Sequence, residues 1–512
     1  MKTQLLFALF TVLSMVATSQ AEDSTDGKVP VILFIAGDST AASYDNKEQQ
    51  GWGGVLQEYF EVNKVRIDNR ARGGRSSRTF MTEGHWQKLI TDVNAGDIVV
   101  IQFGHNDASP VNDSTRARGS LPGLGEESRQ IDNMLTGEPE VVYTFGHYIQ
   151  KMIDEVKQKQ ARPILISLTV RNLWQNNRIE RGSGEYGAWL HSLAATNGID
   201  YIDLTNEAAD IFEHLGKELT DTIYEKDYAH FNETGAHIHA RTIVNWVKGL
   251  RPTLPSDSYS ALGQDVASNH WAFLRLPVIQ DKQKPTLFLV GDSTVRNGTA
   301  DGSNGEWGWG SFLADYLASI PVNVVNRAIG GFSSRTYITG NHWHKSLNMM
   351  RPGDYVAIQF GHNDASPVND TRRARGSLDG IDSQVQTVFN LLTGQQETVY
   401  SYGHYLRQYI SDAKAKGVTP IVITPVPRKL WSSDSNTIQR DQSAYPDWAT
   451  SVAESAGVPV VDLFGLVANQ YDRLGITAVE ALFADKHTHT SQSGAQLNAQ
   501  IAAEQLSQYL MQ

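Results

Sequence analysis

The 512-residue chain carries one set of short stretches twice, in the same order. Gly37-Asp38-Ser39-Thr40 follows an apolar run at residues 31–36, and Gly291-Asp292-Ser293-Thr294 follows a second such run at 286–290. Asn69-Arg70-Ala71-Arg72-Gly73-Gly74 returns as Asn326-Arg327-Ala328-Ile329-Gly330-Gly331, and residues 102–113 return unchanged at 359–370. Trp52, Trp86, Arg171 and Trp174 return as Trp309, Trp343, Arg428 and Trp431, and His230 returns as His489. The offset stays near 257 residues throughout. Solenoid arrays repeat every ~20–50 residues, so this period means duplication of a whole domain.

The chain is also too long for one ordinary core. The first copy is expected at residues 29–250 and the second at 285–512, joined by a linker at 251–284 that holds Pro252, Pro255, Ser256, Ser258 and Ser260. Residues 271–279 are apolar enough to pack on a domain. In copy one, β-branched runs at 31–36, 64–69, 98–103, 163–169 and 199–204 alternate with helical patterns such as 146–158. Short apolar strands separated by amphipathic helices predict an α/β fold with a parallel five-stranded sheet covered on both faces. Such a sheet gathers its loops, and its chemistry, at the carboxyl ends of its strands.

Lys2, an apolar stretch at residues 5–16 and Ser19-Gln20-Ala21 form the pattern of a secretory signal peptide over residues 1–21. It is too short to span a bilayer, and no other stretch is long and apolar enough. With no cysteine there is no disulfide or thiolate metal site, which fits a bacterial periplasm or exterior. The net charge of −12 argues against nucleic acid or an anionic membrane as partner, although a local basic cleft could still hold a polyanion.

Four elements fall at strand ends in each copy: Ser39 (Ser293), Gly74 (Gly331), Asn106 (Asn363), and Asp227 with His230 (Asp485 with His489). Acyl transfer needs these parts. A Ser must lose its proton as it attacks, a His must take it, and a carboxylate must orient that His and stabilise its positive form. The developing oxyanion needs fixed donors, which a Gly backbone N–H, an Asn amide and the Ser backbone N–H supply. Singly, each residue has a simpler reading: a polar turn, a turn glycine, a loop asparagine, a helix cap. Four in order, twice, favour the chemical reading. His105 and His362 read as packing or loop-fixing residues, and His147 and His404 as structural. His487-x-His489 lacks a third ligand nearby and an equivalent of His487 in copy one, so a metal pair is not expected.

The blocks resemble the SGNH (GDSL-type) hydrolases over both halves, and within them the rhamnogalacturonan acetylesterase branch. The resemblance rests on Gly-Asp-Ser-Thr, Gly74-Arg75-Ser76-Ser77-Arg78, Phe103-Gly104-His105-Asn106-Asp107, residues 119–127, and Thr488-His489-Thr490-Ser491 with Gly494-Ala495. It implies two tandem flavodoxin-like three-layer α/β/α domains, no metal or cofactor, a Ser-His-Asp triad, and the Gly and Asn in an oxyanion hole. Copy one keeps the Asp-x-x-His spacing of the family at Asp227 and His230, whereas Asp485 stands four residues before His489. Unless a turn or bulge restores its reach, copy two is left with a Ser-His dyad.

Trp52 and Trp86 are expected in the core. Arg171 and Trp174, with Arg428 and Trp431, follow the fourth strand and are the candidate substrate contacts, since sugars stack on aromatic faces and Arg suits a uronic carboxylate. The resulting expectation is a secreted or periplasmic carbohydrate O-acetylesterase that removes acetyl groups from an acetylated polysaccharide of pectin, the rhamnogalacturonan backbone, through an acyl-serine. The alternatives are an esterase on another glycan such as xylan, or a glycan-binding protein with one catalytically lost copy.

Overall fold

The computed structural model describes residues 29–45, 48–181, 185–224, 226–278, 283–299, 302–433 and 437–510. The expected signal peptide at residues 1–21 lies outside them.

Two five-stranded parallel sheets organise the chain. In the first half the strands are β1 (Val31–Gly37), β2 (Val65–Asn69), β3 (Ile98–Gln102), β4 (Arg162–Ile166) and β5 (Asp200–Ile202), in spatial order β2-β1-β3-β4-β5. In the second half β6 (Thr286–Gly291), β7 (Asn323–Asn326), β8 (Tyr355–Gln359), β9 (Thr419–Ile423) and β10 (Val460–Val461) repeat the order as β7-β6-β8-β9-β10. The expected five parallel strands are therefore present in both halves, with ends shifted by a few residues.

Each sheet is buried on both faces because successive side chains of its strands enter different cores. Leu33, Ile35 and Val100 pack with Trp52 and the helix Glu233–Val247 on one side. Phe34, Ala36, Val99 and Ile101 pack with Trp86 and the helix Phe145–Gln158 on the other. This is why residues 98–101 read as an unbroken apolar run. Trp52 and Trp86 are core residues, as expected, and each indole N–H has an acceptor: the buried Gln102 Oε1 at 2.8 Å and the partly exposed Glu155 Oε2 at 2.6 Å.

The joining segment is folded onto both halves. Tyr259 packs on Phe60 with ring centroids 5.3 Å apart, and the Ser260 hydroxyl donates to the Glu58 carbonyl at 2.6 Å. Trp271 meets Phe332 edge-on at 4.9 Å. The halves also touch directly: Lys345 pairs with Glu207 at 2.7 Å, and Asn348 Nδ2 donates to Asp210 Oδ1 at 2.9 Å. No helix among the described residues is long and apolar enough to cross a membrane.

An antiparallel hairpin, Ser128–Asp132 with Pro139–Tyr143, is inserted between β3 and β4; its counterpart is Val385–Asn390 with Gln395–Tyr400. Neither follows from the alternation of strand and helix in the sequence.

Candidate active site

The turn that carries Ser39 is built by the residue before it. Asp38, fully buried at the end of β1, accepts from the Thr40 backbone N–H and the Thr40 hydroxyl, both at 2.9 Å, and so folds the chain back and presents Ser39 at the sheet edge. Asp292 and Thr294 repeat the pair at 2.9 and 2.8 Å. Gln359 then donates to the Thr294 hydroxyl at 2.8 Å and accepts from the Trp309 indole at 2.8 Å, which anchors the turn to the neighbouring strand. Burial raises the Asp38 carboxyl above its usual value, against the opposing pull of the Thr40 bonds.

Ser39 Oγ lies 2.9 Å from His230 Nε2, and His230 Nδ1 lies 2.7 Å from Asp227 Oδ2. The other carboxylate oxygen of Asp227 accepts from the backbone N–H of Ala229 (2.7 Å) and of His230 (2.8 Å). Burial works to raise the Asp227 carboxyl, but these hydrogen bonds outweigh it and hold it below the usual carboxylate range. An ionised Asp here fixes the imidazole with Nδ1–H donating and Nε2 free to accept from serine.

The second half forms the same relay despite its extra residue. Ser293 Oγ is 3.0 Å from His489 Nε2, and His489 Nδ1 is 2.7 Å from Asp485 Oδ2. The longer loop closes on the carboxylate with three backbone donors instead of two: His487, Thr488 and His489 at 2.9, 2.7 and 2.9 Å. Asp485 is also held low, the backbone and imidazole hydrogen bonds again outweighing burial. The spacing that pointed to a dyad is thus absorbed by a wider turn. His487 does not join His489; its Nδ1 bonds the Thr488 hydroxyl at 2.7 Å.

Gly74 and Gly331 have φ of +78° and +87°, where a side chain is strained. A Cβ on Gly74 would also come within 2.9 Å of Arg118 Nη1, the group that donates to the Gly74 carbonyl at 2.8 Å. Asn106 Nδ2 uses one of its two hydrogens on the Arg75 carbonyl (3.0 Å), and Asn363 Nδ2 does the same to Phe332 (2.9 Å). That bond couples the asparagine to the glycine loop and leaves the second amide hydrogen to donate elsewhere. Asp107 tightens the coupling. It is buried and accepts from the Ser77 N–H at 3.1 Å, the Ser77 hydroxyl at 2.5 Å and the Ser120 hydroxyl at 3.0 Å. Burial pushes its carboxyl up to about 6, as it does for Asp364.

In the second half a cavity of about 340 Å³ is lined by Ser293, His362, Asn363, Arg373, Arg375, Arg428 and His489, among others. Serine, imidazole and amide therefore face one space, ringed by guanidinium groups. Of the expected substrate contacts, Arg428 lines it and Trp431 does not: Trp431 pairs with Ile438 and packs partly buried on the core. In the first half, Arg171 stands over the Tyr228 ring at 5.9 Å, with its Nε buried and unpaired. Trp174 bonds Asn172 at 2.6 Å and packs on the core. His105 bonds the Thr169 hydroxyl at 3.1 Å, and burial lowers it to about 3, consistent with a loop-fixing role; burial lowers His362 to about 4. Sequence reasoning passed over Arg118 and Arg375, although both recur at the common offset. It passed over Glu306, which has no repeat.

Residues 35–238 and 289–497 each match the GDSL-like lipase/acylhydrolase family. The chain belongs to that family. It is thereby a hydrolase of carboxylic esters, with one family domain in each half. Its relatives include a rhamnogalacturonan acetylesterase of Emericella nidulans, 33% identical over 208 residues that cover 41% of this chain and 81% of the relative. A probable rhamnogalacturonan acetylesterase of Bacillus subtilis is 29% identical over 224 residues, covering 43% of this chain and 93% of the relative. A second B. subtilis rhamnogalacturonan acetylesterase is 28% identical over 255 residues, covering 46% and 98%. Each relative is thus about as long as one half of this chain.

Proposed function

We propose that this acylhydrolase is an exported carbohydrate O-acetylesterase with two active sites, and that it removes acetyl groups from the rhamnogalacturonan backbone of pectin. The observation that carries the reading is the Ser-His-Asp relay, formed once in each half with matching distances. Ser39 or Ser293 attacks the acetyl carbonyl carbon as its proton passes to His230 or His489 Nε2. The carbonyl oxygen takes the negative charge and is met by the serine backbone N–H, the Gly74 or Gly331 N–H and the Asn106 or Asn363 amide. The tetrahedral adduct collapses, the sugar oxygen leaves with the proton from the imidazolium, and an acetyl-serine remains. Water, activated by the same His, repeats the sequence and releases acetate. Asp227 or Asp485 holds the ring and offsets its charge throughout.

Three relatives that carry the rhamnogalacturonan acetylesterase name support the substrate class. So does the ring of Arg373, Arg375 and Arg428 around the cavity, which suits a galacturonate carboxylate. Acetate release from a panel of acetylated polysaccharides tests it. Rhamnogalacturonan should be deacetylated faster than xylan, and Arg171→Ala with Arg428→Ala should shrink that preference while sparing a small aryl acetate. A hydrogen-bonded charge pair is worth about 1.5–3 kcal/mol, or one to two decades in rate. Preference for neutral acetylxylan would remove the pectin assignment. Export is tested by mass spectrometry of secreted protein, which should begin at Glu22; an intact residue 1–21 segment would contradict it.

A further inference from the structure

Beyond the spacing of their carboxylates, the two relays differ in what stands beside the imidazole. In copy two, Glu306 Oε1 lies 3.5 Å from His489 Nδ1, on the same ring nitrogen that Asp485 holds at 2.7 Å. Both partners are only partly exposed, Glu306 at 29% and His489 at 28%. The contact is built rather than incidental. Asn304 Nδ2 donates to the far oxygen, Glu306 Oε2, at 2.9 Å. The next residue, Trp307, is bridged to Thr490 by its N–H to the Thr490 carbonyl (2.9 Å) and by the Thr490 hydroxyl to the Trp307 carbonyl (2.7 Å). The Glu306 loop is therefore stitched to the residue that follows the catalytic histidine.

Copy one keeps the backbone bond of this stitch, Gln50 N–H to the Phe231 carbonyl at 3.0 Å, so Gln49 occupies the place of Glu306. Gln49 is neutral, and its Oε1 accepts from the Lys226 ammonium. One relay thus has a carboxylate at this place, the other an amide bonded to a cation.

Resting on the acyl-transfer reading above, we infer that Glu306 is a positioning residue of the second site: a second carboxylate that can orient His489 and balance its charge when Asp485 is lost. Glu306, Asp485 and His489 also have the spacing of a cation site. Asp485 Oδ1, however, is saturated by three backbone N–H groups, and its Oδ2 takes the Nδ1 proton, so the trio is committed to the imidazole. Removing the Asp485 carboxylate leaves Glu306, at 3.5 Å, to move in toward the 2.7 Å that Asp485 had and accept from Nδ1–H in its place.

A double-mutant cycle on an aryl acetate tests this, in Ser39→Ala protein so that only site two turns over. Glu306→Gln alone should cost less than about threefold in kcat, and Asp485→Ala about a hundredfold. The double variant should lose about 10⁴-fold, as Asp227→Ala should in Ser293→Ala protein, with KM unchanged in each case. Losses that merely multiply would mean that Glu306 only supports its loop, and would overturn the assignment. A second measurement moves the device: Gln49→Glu with Lys226→Met should restore about tenfold of the turnover lost in Ser293→Ala/Asp227→Ala protein, and no recovery would overturn the inference as well. If Ser39→Ala protein with an otherwise native site two shows no turnover, the esterase reading of that site falls first, and this assignment falls with it.

Discussion

Replacing Glu140 with Gln should unfold one half of the molecule early and leave the other half working. Arg78 follows the glycine loop and is fully buried, with four N–H bonds: Nε and Nη2 to the Glu140 carboxylate at 2.7 and 2.5 Å, and Nη1 to the carbonyls of Val111 and Gly119 at 2.7 and 2.8 Å. Glu140 lies on the inserted hairpin and is steadied by Asn133 at 2.7 Å. The pair therefore clamps the hairpin to the loop that carries Gly74. Removing the charge on Glu140 leaves the fully buried Arg78 guanidinium without its counter-charge, a loss of up to about 3–5 kcal/mol. For a unit of 150–250 residues each kcal/mol is worth about 2–4 °C, so the first half should inactivate about 6–20 °C earlier. Heat inactivation measured in Ser293→Ala protein reports that half, and Ser39→Ala protein is the internal control. Arg335 and Glu397 form the matching clamp in the second half, so Glu397→Gln should reverse the pattern. Burial opposes ionisation of Glu140, but the Arg78 bonds prevail and hold its carboxyl below 4.5. The contribution is therefore present above the unfolded value and lost as pH falls through the folded one, and the gap between variant and parent should close in acid. A shift under about 2 °C, or equal shifts in both halves, would refute the reasoning.

Two further outcomes follow from the site. Asn106→Ala in Ser293→Ala protein, and Asn363→Ala in Ser39→Ala protein, should each lower kcat by about 10²–10³-fold, the cost of one oxyanion donor, with KM for an aryl acetate little changed; an unchanged kcat would remove the amide from the oxyanion hole. Asp107, raised to about 6 from 3.8 by burial, binds its proton more tightly in the fold, so its contribution falls as pH rises between those values, by about 3 kcal/mol in all. Relative to the parent, Asp107→Asn should gain thermal stability between pH 4 and 7, and a difference that stays flat with pH would contradict this.

Much of this arrangement was legible in the sequence, for a physical reason. Parallel strands buried on both faces must be apolar at every position, so residues 31–36 and 98–101 declare themselves, and duplication prints every such signal twice. Ser39 and His230 were readable because their neighbours are constrained too: Asp38 builds the turn that presents the serine, and Asp227 needs its own loop amides. The hairpins were not readable. Ser128–Asp132 is exposed or partly exposed along its whole length, so it carries no alternation. The reach of Asp485 was not readable either, because it depends on how a five-residue loop turns its backbone N–H groups, and Asp-x-x-x-His does not fix that. Glu306 and the Arg118 and Arg375 contacts to the glycine loops come from chain segments far from the histidine and the glycine in sequence, and only the fold brings them together. Where the Trp174 and Trp431 rings go was not readable for a related reason: following a strand's carboxyl end places a residue near the site, but core packing decides where a large ring goes, and both pack partly buried on the core.

The most direct test is turnover of an aryl acetate by Ser39→Ala, Ser293→Ala and the double variant. Two complete relays predict that each single variant keeps part of the parent activity and that the double variant falls to background. Loss of all turnover in either single variant would show that one half is structural and would contradict the two-site account.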